Sequence, residues 1–287
     1  MSAFWLKILA CLIMLTDHTG AIFPTPYWLR FIGRIAFPLF VYFVAEGCAR
    51  TRNINRYLFR LGLFALISEI PFDIAFGPSF GGEGVDFLRF TNVFYTLFLG
   101  VLAVSVYNGV SAFRRPPVAL LPLLLLIPLL LGPPRPLTLA LAILYALVIH
   151  IVIRRTPAED VGGENALPTV AARLCALAAI CPIIWLADLL GTDYGSFGVV
   201  FILVLTLART RESKLVFLAL FIFLEYGAPL LSSAGLDLSR IVMLAVAMLA
   251  VPLAAAYNGR RGPSLKWSFY AFYPVHLAAL AALTYVI

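Results

Sequence analysis

Two histidines, His18 and His276, lie inside apolar stretches near opposite ends of this chain, and each has neighbours that could do chemistry. Imidazole is the side chain that ordinarily titrates near neutral pH, so a histidine in an apolar setting is a candidate general base. His18 follows Asp17, and successive residues on a helix point about 100° apart, so the two cannot simply neutralise each other. His276 closes the run Tyr273-Pro274-Val275-His276, whose proline frees a backbone carbonyl inside a helix. Arg30 with Arg34, and Glu69 with Asp73, are spaced i,i+4, which puts each pair on one helix face. The bland reading of these residues is an ion-pair network that joins helices and two histidines satisfied by packing. The sharper reading is a proton-handling site with His18 as base. His150 stands near Arg154 and reads as interfacial. No metal site is expected, because a third ligand would have to be recruited from Asp17 or Glu69. No glycine-rich phosphate loop or dinucleotide fingerprint occurs.

The elements that must carry these groups follow from composition. Of 287 residues, 62% are hydrophobic and 12% charged, and the mean hydropathy is +0.99. Soluble domains carry about 25% charged residues, so a soluble enzyme and a disordered chain are both excluded. The expected class is all-α: a polytopic integral membrane protein of about 10–11 transmembrane helices, one domain over 1–287, since long apolar runs do not alternate as barrel strands do. Apolar runs broken by charge and by Pro or Gly predict spans at 4–23, 28–49, 57–77, 91–108, 117–131, 137–153, 169–190, 195–208, 214–229, 239–256 and 267–287.

With eleven crossings and a cytoplasmic N-terminus, 15 of the 21 basic residues fall in cytoplasmic loops. That is the positive-inside pattern, and it predicts a multi-pass protein of the cytoplasmic membrane. It also accounts for the net charge of +7 without nucleic acid. The four cysteines sit in or beside apolar runs, as small hydrophobes would, and the first apolar run reads as a helix and not a cleaved signal, because Asp17 and His18 interrupt it. At 1.5 Å per residue, Asp17 and His18 lie about 20 Å in from the cytoplasmic end. Arg30, Arg34, Glu69 and Asp73 are expected at a similar level. An ionisable group at such depth costs about 2.5–3.5 kcal/mol on insertion scales, so each needs a partner or a task. Lys7, Cys11 and Met14 share the His18 face, which suggests a path from the cytoplasm. On the cytoplasmic side Arg50, Arg52, Arg56 and Arg60 form one basic cluster, and Arg260, Arg261 and Lys266 another. Both suit lipid headgroups by default, and both suit the phosphates of a cytosolic donor.

Several motifs together resemble the TraX family. They are Leu6-Lys7-Ile8 through Met14-Leu15-Thr16-Asp17-His18-Thr19-Gly20, then Arg30 to Phe40, Glu46-Gly47, Thr51-Arg52-Asn53, Tyr57, Arg60 and Ser68 to Asp73. Asn92-Val93, Thr96-Leu97, Asp193-Tyr194-Gly195, Tyr257 to Gly262 and Phe269 to Leu277 continue the likeness, while 110–190 carries almost none of it.

The resemblance implies a membrane acetyltransferase using acetyl-CoA, its namesake being associated with N-terminal acetylation of a conjugative pilin. It also implies kinship with transmembrane acyltransferases in which a histidine of an early helix is the base. His18 takes that role, with Asp17, Glu69, His276 and Arg34 as further catalytic candidates. Arg30, Arg50, Arg52, Arg56, Arg60, Arg260, Arg261 and Lys266 are candidates for holding the CoA co-substrate. Asp17 or Glu69 would stabilise the imidazolium, and Arg34 or His276 the oxyanion. The acceptor, an exported protein or a surface glycan, would arrive from the opposite face. The rival expectation is a proton-coupled transporter built on Asp17, His18, Glu69 and Asp73. The sequence leaves oligomeric state, acceptor and acyl-chain length open.

Overall fold

In a computed structural model that describes residues 1–77, 90–112, 169–232 and 237–286, the protein is an all-α polytopic membrane protein. The helices are α1 Ala3–Ile22, α2 Trp28–Gly33, α3 Ala36–Arg50, α4 Ile54–Phe76, α5 Val93–Ala112, α6 Thr169–Leu189 and α7 Gly195–Leu207. Then come α8 Arg211–Ile222, a π-helical turn Phe223–Gly227, α9 Ala228–Ser232, α10 Leu238–Met248, α11 Ala250–Ala255 and α12 Lys266–Thr284. Among the described residues, five helical runs are long and apolar enough to cross a membrane: Ala3–Ile22, Trp28–Arg50, Val93–Val110, Arg211–Leu230 and Leu238–Ala255. Helix α4 is 23 residues long but carries Arg56, Arg60, Glu69 and Asp73, so it is less apolar than these. The spans expected at 117–131 and 137–153 lie outside the described residues, as does His150.

The chain divides into two compact units. One holds Met1–Arg52, α4 from Phe59, and the chain from Val204 onward; the other holds Asn53–Leu58, α5, α6 and α7 as far as Leu203.

In the first unit α1 packs against α2, α3 and α12. Its entry is fixed by the segment after α11: the N–H groups of Ala3 and Phe4 donate to the carbonyls of Arg260 and Arg261 at 2.9 and 3.2 Å. A helix begins with N–H groups that have no partner of its own, and this loop satisfies two of them. The span expected at 28–49 is broken after Gly33, and the cause is Pro38. Lacking an N–H, Pro38 cannot bond the Arg34 carbonyl, and Arg34 and Ile35 form a turn between α2 and α3. The Thr210–Ser213 capping box starts α8, and the Asp237 carboxylate accepts from Ser239 and Arg240 at the start of α10.

In the second unit α5 packs along α6, and a parallel bridge joins Thr91 to Thr192. Thr91 N–H donates to the Gly191 carbonyl and Asp193 N–H returns a bond to Thr91, both at 3.0 Å. Gly195, at φ +51°, permits a close turn in which a Cβ would meet the Asp188 carboxylate at 2.6 Å.

Candidate site on the first and last helices

The first unit brings His18 and His276 together although 258 residues separate them: His18 Nδ1 lies 2.7 Å from His276 Nε2. Their rings stack at 4.9 Å between centroids with 16° between planes. The other ring nitrogen of His276, Nδ1, is 2.7 Å from the Phe272 carbonyl oxygen. A carbonyl only accepts, so His276 Nδ1 carries hydrogen and donates to Phe272. With both rings neutral, His276 Nε2 is then bare and accepts from His18 Nδ1–H. The proton positions are assigned by elimination, and they leave the lone pair of His18 on Nε2. His276 is buried and His18 half-buried, with Phe76 and Tyr273 packed edge-on against the His18 ring at 5.2 and 5.8 Å. A carbonyl, an orienting ring and a base with one open nitrogen form the layout that fixes a catalytic histidine's tautomer.

Asp17 turns away from His18, to which it is adjacent in sequence. Its carboxylate bridges Arg30 at 2.9 Å and Arg34 at 2.7 Å. Arg30 also donates to the Asp17 carbonyl at 3.2 Å, and Arg34 Nε to the Arg30 carbonyl at 3.0 Å. Tyr226, on the π-helical turn, is hydrogen-bonded with Arg34, and Glu225 beside it lies within electrostatic reach. π turns recur at functional sites because they re-aim side chains out of helical register. The guanidinium groups of Arg30 and Arg34 lie close enough to His18 to act on it electrostatically. Gly33 makes the cluster possible, since a Cβ there would fall 2.0 Å from Asp17 Oδ1. Ion pairing thus offsets part of the cost of two arginines and a carboxylate at membrane depth.

Glu69 and Asp73 are buried one turn apart on α4. Of the groups expected to meet, Asp17 is joined to Arg30 and Arg34, and His18 to His276. Arg30 lies with Asp17, apart from the other arginines named for the donor. Arg50 donates to Glu46 at 2.8 Å and to Tyr257 Oη and the Gly259 carbonyl, both at 2.9 Å. It thereby ties the end of α3 to the loop that carries Arg260 and Arg261. Arg60 is paired with Tyr270 by a hydrogen bond and a ring contact at 5.9 Å. Arg52, Arg56, Arg260 and Arg261 are exposed, and Lys266 opens α12.

Three features of this unit were not anticipated. Buried Lys214 pairs with Glu46 at 2.5 Å, locking α8 to α3. Arg211 donates to the Ala255 carbonyl at the end of α11. The third is Tyr226; an aromatic next to Glu225 in an apolar run was the available signal. Among the described residues no three His, Cys, Asp or Glu side chains converge as a metal site would require.

A largely apolar groove of about 680 Å³ runs between α4 and α12, lined by Phe64, Ile67, Ile70 and Ile74 on one side and Pro274 and Val275 on the other.

Comparison with known proteins adds the following. A sequence profile of the family described as "TraX protein" matches residues 2–150 and 137–284, which together run almost the length of the chain. The chain is 38% identical over 113 residues to "Probable fimbrial assembly protein FimC, serogroup H1" of Dichelobacter nodosus. That match takes in 37% of this chain and 46% of the relative, so it spans about half the relative's length. No solved structure matches. The chain belongs to the TraX family of membrane proteins.

Proposed function

We propose that the protein is a membrane-embedded acyltransferase that moves an acetyl group from acetyl-CoA to an amine or hydroxyl of an exported acceptor, with His18 Nε2 as general base. The observation that carries this reading is the one-way chain from His18 Nδ1–H through His276 to the Phe272 carbonyl, which leaves one imidazole lone pair at membrane depth. The acceptor's N–H or O–H proton passes to His18 Nε2 as its nitrogen or oxygen bonds to the thioester carbonyl carbon. The oxyanion that forms lies in the positive potential of Arg30 and Arg34, whose charge Asp17 offsets only by half. When the carbon–sulfur bond breaks, the CoA thiolate takes the proton back from His18, and the base is restored. His276 acts through His18, holding the ring and accepting from its Nδ1–H while the imidazolium exists.

Membership in the TraX family supports a role in modifying exported proteins, and so does likeness to a protein named for fimbrial assembly. An exported protein's N-terminus is the first acceptor to try, and a surface glycan hydroxyl the second. The cytoplasmic membrane places the donor on one side of the protein and the acceptor on the other.

The test is release of free CoA from acetyl-CoA by purified protein in neutral detergent, with and without an amine acceptor, beside His18→Ala. Release that is lost in the variant at unchanged thermal stability supports the reading. Movement of solute across proteoliposomes without thioester consumption would replace it with the proton-coupled transporter.

A further inference from the structure

The loop between α11 and α12 is built so that its carbonyls and its N–H groups face opposite ways. The Gly259 carbonyl accepts from Arg50 at 2.9 Å, that of Arg260 from Ala3 at 2.9 Å, and that of Arg261 from Phe4 at 3.2 Å. Across a trans peptide the C=O of one residue and the N–H of the next are antiparallel, and the described residues contain no cis bond. The N–H groups of Arg261 and Gly262 therefore point away from the end of α1, and that of Arg260 points away from Arg50. Arg260 N–H is held by the Asn258 side chain at 3.0 Å. Those of Arg261 and Gly262 have no acceptor among the described residues. Gly259 and Gly262, at φ +76° and +74°, supply the left-handed turns that this arrangement needs. Successive N–H groups aimed one way make an anion-binding concavity.

Charge at the loop has one sign. Neither the segment from Met1 to Lys7 nor that from Ala256 to Leu265 contains an Asp or Glu, while Lys7, Arg260 and Arg261 are all basic. Glu46, the carboxylate that reaches this end of the unit, is committed to Arg50 and Lys214. Arg260 and Arg261 are exposed, and Arg261 stands near enough to Lys7 for their charges to interact. Lys7 is on the same face of α1 as His18, eleven residues and about 16 Å away along the axis. The arm joining the diphosphate of CoA to its thioester has some fourteen bonds, and at roughly 1.2 Å advance per bond it spans about 17 Å.

We propose that the Asn258–Gly262 loop is a diphosphate site, with the N–H groups of Arg261 and Gly262 and the side chains of Arg260 and Arg261 holding the diphosphate of the acyl-CoA donor. This assignment rests on the acyltransferase reading above. It unites the two basic clusters of the sequence at one place, because Arg50 holds the loop in shape while Arg260 and Arg261 meet the ligand.

The experiment is titration of CoA into the full chain in neutral detergent, for the wild type, an Arg260→Gln/Arg261→Gln double variant, and Gly262→Ala. The last keeps both arginines but drives a Cβ to 2.7 Å from Ser2 Oγ and 2.8 Å from Phe4 Cβ, which lifts the loop from α1. Both variants are expected to bind CoA at least tenfold more weakly, the double variant at unchanged thermal midpoint and Gly262→Ala at a lowered one with the titration run well below it, while KM for S-acetyl-pantetheine, which lacks the phosphates, changes far less than the CoA affinity. Wild-type binding of CoA with equal binding by the double variant overturns the loop assignment and leaves the acyltransferase reading standing. Weakening by the double variant alone shows long-range charge attraction, and overturns the built site. If the wild type binds no CoA, the acyltransferase reading itself fails and the donor assignment with it. Loss by the double variant of binding to phosphatidylglycerol nanodiscs, in preference to phosphatidylcholine ones, would then assign the loop to lipid headgroups.

Discussion

Gly33→Ala sets two physical rules against each other. Helix propensity alone favours Ala over Gly by about 1 kcal/mol, so on local grounds the variant should be more stable. The packing around Gly33 reverses the sign. An added Cβ would lie 2.0 Å from Asp17 Oδ1 and 2.3 Å from both Asp17 Cβ and Cγ. Restoring van der Waals distance requires Asp17 to move by about 1.5 Å. The 2.7 Å bond from Arg34 cannot survive that displacement. A charge-assisted hydrogen bond is worth about 1.5–3 kcal/mol and overpacking costs about 1–3 kcal/mol. Against the propensity gain, the net is a destabilisation of about 1.5–5 kcal/mol. His18 follows Asp17 on the same turn, and a misplacement of this order at a catalytic group costs about a hundredfold in rate. Thermal unfolding in detergent and CoA release give the two readouts. A variant as stable as wild type with undiminished turnover would refute both the cluster geometry and its link to the base.

Three other outcomes follow from the same geometry. His276→Phe keeps an aromatic ring beside His18 but removes the acceptor for Nδ1–H, so kcat should fall about 10³–10⁴-fold, as when a catalytic histidine loses its tautomer lock. KM for the donor should not move, and His276→Asn, which restores an acceptor, should recover part of the rate. Glu46→Gln leaves buried Lys214 without its counter-charge; given the partial exposure of the pair, the loss should be about 2–4 kcal/mol in thermal or denaturant unfolding. Thr210→Ala removes the hydroxyl that accepts from Ser213 N–H at the start of α8, leaving the bond from the 210 N–H to Ser213 Oγ, and should cost about 1 kcal/mol by the same measurement, without altering turnover.

Hydropathy and charge placement located the helices well because lipid demands continuous apolar runs and backbone bonds satisfied within each segment. The runs expected at 4–23, 28–49, 57–77, 91–108, 169–190, 195–208, 214–229, 239–256 and 267–287 all coincide with helical stretches of the structure. Breaks within spans were harder to read. The turn at Arg34–Ile35 depends on Pro38, four residues downstream and inside an apolar run that looks uninterrupted. Leu249 parts α10 from α11 in the same way, since Pro252 lies within one turn of it. The π turn at Phe223–Gly227 has no local signature of comparable strength.

For the site, residue type and depth singled out Asp17, His18, Arg30, Arg34 and His276, but not who pairs with whom. The spacing argument had Asp17 and His18 on different faces, and Asp17 indeed turns to the arginines. That His18 would meet a ring from the last helix depends on how α12 packs on α1, a contact between the ends of the chain that no local pattern encodes. The Glu46–Lys214 pair escaped notice for the same reason: each residue sits at the edge of its own apolar run, where a charge needs no explanation.

The most direct test of the central claim uses the fact that the chain has only three histidines. Protein labelled with ¹⁵N-histidine and studied by NMR at neutral pH reports which nitrogen of each ring carries hydrogen, with His150→Gln and His276→Gln variants assigning the signals. The account predicts that His18 and His276 are both neutral and both protonated at Nδ1, with Nε2 bare. A hydrogen on His18 Nε2, or two rings that titrate independently of each other, would contradict it.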